Sequence, residues 1–248
     1  MIKLNKMCEI FTIGYSSYHQ EGVERFDSDL AAMSGVSTSE SWHDRIARHP
    51  LEYSNSQNYA VKRFAEDLLM AGVCVVVDVR SSPYSSFSPE FDRERLKSSM
   101  AEYGITYLFM GDELGARPKD RGCYKDGAVD YDRIMNSPAF VRGLDRIETG
   151  IAKGFSIALM CAEKDPVDCH RNVLVARALS KRGLKVRHFV RLPAGGPAVI
   201  EENSVTEARM FAECDMEALS QGDLFVSDEE RIERVYRTRF GAIAFKED

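Results

Sequence analysis

The sequence predicts an α/β fold with a mostly parallel five-stranded sheet, helices on both faces and a helical C-terminal appendage. Helical patterns alternate with short apolar runs along most of the chain, which is typical of strands joined by crossover helices. A glycine ends each of four predicted helices, because Gly takes the left-handed conformation there without steric cost. Residues 73–77 are apolar on both faces of a strand, which indicates a buried parallel strand.

Each element follows from this alternation. Apolar residues at helical spacing and Ser-Pro pairs, which combine an N-cap with a first-turn proline, predict the helices. Helices are therefore predicted at residues 59–71, 88–104, 137–154 and 169–182. Short apolar runs predict strands at residues 9–13, 73–77, 105–109, 155–160 and 184–190.

Three segments lie outside the alternation. Residues 17–58 are polar and Ser-rich, contain Trp42, His43 and His49, and are predicted to be an insertion with one or two short helices. Residues 110–136 form a connection far longer than the usual 2–6 residues, which is typical of lids and binding loops.

The third segment, residues 192–202, is rich in Pro and Gly and is predicted to be a linker. Helical patterns follow at residues 205–219 and 228–239. We therefore predict an α/β domain over residues 1–191 and a linker with a helical appendage over residues 192–248. The appendage packs on the domain or joins copies of the chain into an oligomer.

Composition restricts the class of protein. The net charge is −6 at pH 7, which argues against extensive binding to a nucleic-acid backbone but allows a local basic patch. Six cysteines in 248 residues are too few for a disulfide-stapled domain. No run of about 18 apolar residues predicts a membrane helix, and no signal peptide is evident. We expect a cytoplasmic protein with no membrane partner.

Glycines and side chains with polar or reactive groups follow four of the predicted strands. Ligands bind beyond the carboxyl ends of parallel strands, so these residues predict a site at one rim of the sheet. They are, in chain order, Gly14, Tyr15, Ser16, Asp78, Arg80, Gly115, Cys161 and Glu163.

The segment after the fourth strand carries the densest chemistry. Asp168 is suited to cap the next helix, which puts Cys169 and His170 in its first turn. The helix N-terminus and Arg171 favour a thiolate there, either as a nucleophile or as a ligand. The same N-terminus suits a phosphate or carboxylate. The competing interpretation is that the cysteines only pack in the core and that the charged residues face solvent.

Asp78 and Arg80 also allow two interpretations. An Asp at the end of a buried strand orients the following loop, and an Arg two residues later pairs with it. Alternatively, Arg80 binds an anionic group of a substrate with two parallel hydrogen bonds.

These segments in order resemble the domain-of-unknown-function family number 488. Residues 12–16 resemble its opening strand motif, although the family often has His at the position of Tyr15. Asp78, Arg80 and Pro83 resemble its Asp-x-Arg-x-x-Pro motif, and residues 161–163 with 169–171 resemble its Cys-Ala-Glu…Cys-His-Arg signature. The resemblance covers about residues 9–16 and 59–190 and implies a site, but the family has no established activity. The layout is also similar, distantly, to rhodanese-like sulfurtransferases, whose compact loop after the cysteine is not matched here.

Three functions remain open. The first is an enzyme with a thiolate at Cys161 or Cys169, catalytic partners His170 and Glu163, and a small anionic substrate held by Arg80 and Arg171. The second is a metal site at Cys161, Cys169 and His170; no other cofactor is predicted. The third is a noncatalytic module that binds nucleic acid or a nucleotide through Arg80 and the loop at residues 110–136.

Overall fold

A six-stranded sheet forms the centre of the structure, a computed structural model that describes residues 8–31, 48, 50–191, 198–214 and 227–247. The strands are β1 (Ile10–Gly14), β2 (Val75–Asp78), β3 (Thr106–Phe109), β4 (Tyr124–Lys125), β5 (Ala128–Val129), β6 (Ile157–Cys161), β7 (Val186–Val190) and β8 (Val199–Glu202). The sheet order is β3-β2-β6-β1-β7-β8, and every pair is parallel except β7 with β8. Strands β4 and β5 form a separate antiparallel hairpin.

Helices connect the strands and cover the sheet. They are α1 (Ser16–Ala31), α2 (Pro50–Met70), α3 (Arg93–Glu102), α4 (Gly111–Leu114), α5 (Tyr131–Met135), α6 (Pro138–Ala152), α7 (Arg177–Lys181), α8 (Asn203–Glu213) and α9 (Asp228–Ile243). Short 3₁₀ turns occur at Pro89–Phe91, Arg121–Cys123 and Pro166–Asp168, and a π-helical turn at Arg171–Ala176 runs into α7.

Local sequence signals explain the element ends. The hydroxyl of Ser137 accepts a hydrogen bond from the Phe140 backbone N–H at 3.3 Å, and Pro138 opens α6 as the cap signature predicts. The four glycines expected to end helices all have positive φ angles: 71° at Gly72, 71° at Gly104, 94° at Gly154 and 83° at Gly183.

Side chains alternate between two apolar layers, one on each face of the sheet. Phe11 and Met160 pack with helices α2 and α3 on one face. Ile10, Leu159 and Cys161 pack on the other face with α6 and the turn that begins at Arg171. Because helices bury both faces, the parallel strands are apolar throughout. The predicted fold class is confirmed.

The sheet has six strands where five were predicted. Residues 199–202 were predicted to be part of a linker, but they pair antiparallel with β7, from Val190 with Val199 to Arg187 with Glu202. A strand of four residues is too short to show the alternation of apolar and polar residues, and the Pro and Gly residues just before it favour a loop. The predicted boundary at residue 191 therefore falls between two paired strands, and the division into domain and appendage stays a prediction.

Helix boundaries also differ from the predictions. The segment predicted as an insertion begins with α1, and α2 begins at Pro50 rather than residue 59. Among the α1 side chains that the structure describes, Tyr18 is the large apolar one that is fully buried, and the sequence of α1 shows only a weak helical period. Trp42, His43 and His49 lie outside the described residues.

The C-terminal helices pack on the α/β core. Met210 of α8 and three side chains of α9, Val235, Tyr236 and Phe240, are buried in the layer that contains Cys161 and Cys169. Part of the predicted helix at 205–219 lies outside the described residues. Within the described part of the chain, none of the helices has the length and apolar character needed to span a membrane.

Candidate functional site

A cavity of about 680 Å³ lies beyond the carboxyl ends of β1, β2 and β6; we call it the rim cavity. Five predicted site residues line it: Tyr15, Arg80, Cys161, Glu163 and His170. The parallel sheet explains this convergence, because β6 lies between β1 and β2 and all three strands end on the same side. A second cavity of about 600 Å³, between α1 and α2, contains none of the predicted site residues.

Asp78 holds Arg80 in one orientation. The guanidinium donates through Nε to Asp78 Oδ1 at 2.9 Å and through Nη2 to Asp78 Oδ2 at 2.6 Å. Asp78 also accepts from the Arg80 backbone N–H and from the Tyr107 hydroxyl, and Arg80 Nη2 donates to the Phe91 carbonyl oxygen at 2.8 Å. Arg80 therefore forms the ion pair that one interpretation of the sequence expected.

The other edge of the Arg80 guanidinium has no partner. Arg80 is only 5% exposed, and no group in the described part of the chain accepts a hydrogen bond from its Nη1. A buried charged donor without an acceptor is costly, by about 1–3 kcal/mol. An anionic group entering the rim cavity would supply the missing acceptor.

Tyr15 forms the aromatic wall beside Arg80. Its ring stacks on Phe91 with 4.6 Å between centroids, and Arg80 Cζ lies 5.0 Å from the Tyr15 ring centroid. Burial raises the pKa of Tyr15, and the nearby Arg80 charge offsets this only in part. Tyr15 is therefore a neutral phenol at physiological pH.

Two predicted glycines permit close approach of backbone segments. A Cβ at Gly14 would lie 1.7 Å from the Glu163 carbonyl oxygen, so no side chain fits where β1 meets the loop after β6. A Cβ at Gly115 would lie 2.5 Å from Ser81 Oγ, which instead accepts from the Arg117 backbone N–H at 2.8 Å. Neither glycine lines the cavity, and Ser16 is the first residue of α1 rather than part of the wall.

Two thiols and one imidazole converge on the inner wall; we call Cys161, Cys169 and His170 the Cys–His cluster. His170 Nδ1 lies 3.6 Å from Cys161 Sγ and 4.0 Å from Cys169 Sγ. His170 Nε2 lies 2.9 Å from the Val79 carbonyl oxygen. Because a carbonyl only accepts hydrogen bonds, Nε2 carries a proton, and Nδ1 is the ring nitrogen that faces both sulfurs.

The two thiols of the cluster titrate as a pair. The hydrogen bond to Cys169 and burial raise the pKa of Cys161 well above its ordinary value. Burial also acts to raise the pKa of Cys169, but the hydrogen bond with the Cys161 thiol and the charge of Arg171 lower it well below its ordinary value. Without a bound ion, the pair therefore shares one proton and one negative charge.

Arg171 does not reach the rim cavity. It is completely buried and donates through Nη1 to the Glu163 carbonyl oxygen at 2.5 Å and through Nη2 to the Lys164 carbonyl oxygen at 3.1 Å. The sequence predicted that Arg171 holds an anionic substrate. In the structure Arg171 instead holds the loop after β6 in place. Its charge still acts on the thiols.

Glu163 is exposed at the mouth of the cavity. Desolvation and the neighbouring Cys169 charge raise the pKa of Glu163 above its ordinary value. Asp168 lines the same side of the cavity and is paired with Arg239 of α9.

The C-terminal residues complete the cavity, which sequence reasoning missed. Ile243 and Phe245 line it, and Arg117 Cζ lies 4.4 Å from the Phe245 ring centroid. An isolated antiparallel bridge between Ala128 and Lys246 holds the segment after α9: Val129 N–H donates to the Phe245 carbonyl oxygen at 3.1 Å, and Glu247 N–H donates to the Gly127 carbonyl oxygen. No local motif marks this contact, which joins residues more than 100 positions apart.

Three basic residues in the 110–136 loop have partners within the protein. Lys119 pairs with Asp112 at 2.6 Å, Arg121 pairs with Glu247, and Arg133 donates to the Tyr124 carbonyl oxygen at 2.6 Å. These pairs are largely exposed and reduce the positive charge that the loop offers to a nucleic acid.

The Cys–His cluster is also the one group of three or more His, Cys, Asp or Glu ligand atoms that converges within the described ranges. Its three donor atoms all lie within 4.8 Å of one another. Two sulfurs and one imidazole nitrogen form a donor set that suits zinc and other soft divalent metals.

One family model matches part of the chain, including most of the site. Residues 60–178 match the family model described as domain of unknown function DUF488. The chain resembles the DUF488 family. The DUF488 match contains Asp78, Arg80 and the whole Cys–His cluster, but Tyr15 and the C-terminal residues of the cavity lie outside it. No curated protein and no solved structure matches the chain. The similarity to rhodanese-like domains stays a prediction.

Proposed function

We propose that this protein is an enzyme that acts on a small anionic substrate in the rim cavity, with the thiolate-bearing Cys–His cluster as its reactive centre. The observation that carries the proposal is Arg80, a buried and oriented guanidinium that lines the same cavity as Cys161 and His170 and whose Nη1 has no acceptor among the residues that the structure describes. Charged donors fixed before binding suit recognition of carboxylate or phosphate oxygens.

The size and lining of the cavity support a small-molecule substrate. About 680 Å³ falls in the range of ligand sites, and the cavity combines a polar floor with apolar Ile243 and Phe245. The ordered Asp78–Arg80 pair keeps the anion-binding group rigid, so little freedom is lost on binding.

A charge-selective alkylation experiment tests the anion preference. Iodoacetate and iodoacetamide are similar in size, but only iodoacetate is anionic. Their rates at Cys161 are measured by peptide mass spectrometry on native protein treated with a chelator, and Cys74 in the same sample serves as reference. We expect the iodoacetate-to-iodoacetamide ratio at Cys161 to exceed that at Cys74 by about tenfold, the effect of one charge-assisted hydrogen bond.

Two variants complete this test. Arg80→Gln is expected to remove the preference, and Arg142→Gln, an exposed arginine on α6, is expected to preserve it. Inorganic phosphate should slow the alkylation of Cys161 by iodoacetate in the wild type. Equal ratios at Cys161 and Cys74, with no effect of phosphate, would contradict the proposed function.

Turnover tests the catalytic half of the proposal. A panel of phosphate monoesters and carboxylate-bearing esters is screened with wild type, Cys161→Ser and Cys74→Ser. The proposal expects turnover that Cys161→Ser lowers at least about 100-fold and Cys74→Ser leaves unchanged, equivalent to ~2.7 kcal/mol of transition-state stabilisation. Turnover that survives Cys161→Ser would place the reaction elsewhere.

Location and assembly also belong to the proposal. We place the enzyme in the cytoplasm, where a reducing environment keeps its thiols reduced; none of the six cysteines forms a disulfide in the structure. Assembly through the C-terminal helices stays open to measurement by light scattering. Fractionation that finds the protein outside the cytoplasm would contradict the placement.

A further inference from the structure

We propose that Cys161, Cys169 and His170 bind one divalent metal ion of the zinc type, with a fourth coordination position open to the rim cavity. This inference rests on the same site as the proposed function and names the group that makes it reactive. The thiolates are then metal ligands, and the substrate oxygen or a water molecule takes the open position.

The distances between the donor atoms fit tetrahedral coordination. Zinc–sulfur bonds of about 2.3 Å and zinc–nitrogen bonds of about 2.0 Å at a tetrahedral angle put two ligands about 3.5 Å apart for S···N and about 3.8 Å apart for S···S. The observed S···N distances are 3.6 Å for Cys161 and 4.0 Å for Cys169, and no pair of donor atoms exceeds 4.8 Å. Side-chain adjustments of a few tenths of an ångström to one ångström would complete the geometry.

The imidazole is already in the tautomer that a metal requires. His170 donates Nε2–H to the Val79 carbonyl oxygen, so the Nδ1 lone pair points at the space between the sulfurs. Histidine ligands of metals usually donate their second ring N–H to a carbonyl or carboxylate in this manner.

The charge of the cluster also favours a cation. The Cys161–Cys169 pair releases its one shared proton to solvent when a metal binds, and the divalent ion then balances the two negative charges of the thiolates. Cys161 is 6% and Cys169 1% exposed, so solvent does little to stabilise the charges. No change of oxidation state is involved.

Exposure determines which side of the metal is open. Cys161 and His170 line the rim cavity, whereas Cys169 lies behind them. Three ligands from one wall leave the fourth position on the cavity side, as in catalytic rather than structural zinc sites. Arg80 lines the same rim cavity as Cys161 and His170, so an anion bound at the open position shares the cavity with the Arg80 guanidinium.

Metal analysis tests the inference on the full-length protein without a polyhistidine tag. We expect about one zinc per chain by elemental analysis after expression with added zinc. Replacement by Co²⁺ should give thiolate-to-cobalt charge-transfer absorption and the intense visible bands of tetrahedral cobalt. Cys169→Ser and His170→Ala should weaken binding of Zn²⁺ at least about 100-fold, and Cys74→Ser should bind like the wild type.

A second measurement does not depend on whether those variants fold. In the wild type, Zn²⁺ should protect Cys161 and Cys169 together from alkylation, and a chelator should restore both rates, with Cys74 unaffected. Absence of bound metal, absence of cobalt–thiolate absorption, or protection of neither thiol would overturn the inference.

The outcomes separate this inference from the proposed function. Metal binding without anion preference in the metal-free alkylation experiment would sustain the metal site and contradict the function. Anion preference at Cys161 without metal binding would leave the function standing and make the cluster a free dithiol with a histidine base.

Discussion

His170 donates its Nε2–H to the Val79 carbonyl oxygen at 2.9 Å, and this hydrogen bond joins the segment after β6 to the end of β2. The contact spans 91 residues of sequence. It fixes the ring so that Nδ1 faces Cys161 and Cys169, and it places the imidazole beside the residue that precedes Arg80. The two halves of the site are therefore held together by the backbone of the central sheet.

Gly14→Ala should disrupt the junction between β1 and the loop after β6. The new Cβ would lie 1.7 Å from the Glu163 carbonyl oxygen, a backbone atom that cannot move freely. We expect a loss of about 3 kcal/mol or more in the free energy of unfolding, measured with urea. Gly241→Ala is the matched control: nothing lies within 4 Å of its Cβ and it is inside α9, so it should be neutral or slightly stabilising.

Tyr107→Phe should weaken the support of the Asp78–Arg80 pair. The Tyr107 hydroxyl donates to Asp78 Oδ2 at 2.5 Å in a buried setting, and a hydrogen bond to a charged group contributes about 2 kcal/mol. The free energy of unfolding should fall by about that amount, and the anion preference of Cys161 alkylation should decrease. Tyr103→Phe, on a residue whose hydroxyl is outside this network, is the control, and an equal effect of both variants would disprove the role.

Stability should fall as the pH falls below about 6.5 because of His188. Burial, together with the charges of Arg171 and Arg209, lowers the pKa of His188 to about 4, although Asn203 and Glu201 act in the opposite direction. Thr12 and Asn203 contact its two ring nitrogens at 2.8 Å and 2.9 Å, so the folded protein holds the neutral ring.

The difference between the His188 pKa in the folded and in the unfolded protein determines the direction of the change in stability. The unfolded chain binds the His188 proton near pH 6.5, before the folded protein does, so stability is lost between pH 6.5 and 4 by about 3 kcal/mol in total. Urea unfolding at pH 7, 5.5 and 4 measures this loss, and His188→Gln should flatten the dependence. An unchanged pH profile in that variant would assign the loss to other groups.

Phe245→Ala should open the rim cavity. Phe245 lines it and packs against Arg117, so its removal should admit larger reagents. We expect alkylation of Cys161 by an N-aryl maleimide to accelerate relative to iodoacetamide, by about tenfold, with a change in unfolding free energy of about 1 kcal/mol or less. Phe155→Ala, a half-exposed phenylalanine away from the site, should leave the ratio unchanged. If both variants give the wild-type ratio, the C-terminal segment does not limit access.

The sequence by itself determined the elements whose signal is local. Helical spacing and a closing glycine predicted α3 and α6, and the Ser-Pro cap correctly marked the start of α6. The Ser88-Pro89 pair instead opens a 3₁₀ turn, and α3 begins at Arg93. Uniform apolar runs predicted the parallel strands of a sheet with both faces buried. Because parallel strands end on one side, the same pattern was enough to bring Tyr15, Arg80 and Cys161 into one predicted rim.

The remaining elements and the orientation of several site residues depend on contacts between residues that are distant in sequence, so only the tertiary structure decided them. Strand β8 is formed by its pairing with β7, and α1 is stabilised by its packing on α2. Neither segment shows strong hydrophobic periodicity in the sequence. Burial turned Arg171 away from the cavity, and the pairing of the C-terminal segment with β5 brought Phe245 into it. The orientation of His170 depends on one carbonyl oxygen, Val79 O, whose position only the folded sheet defines.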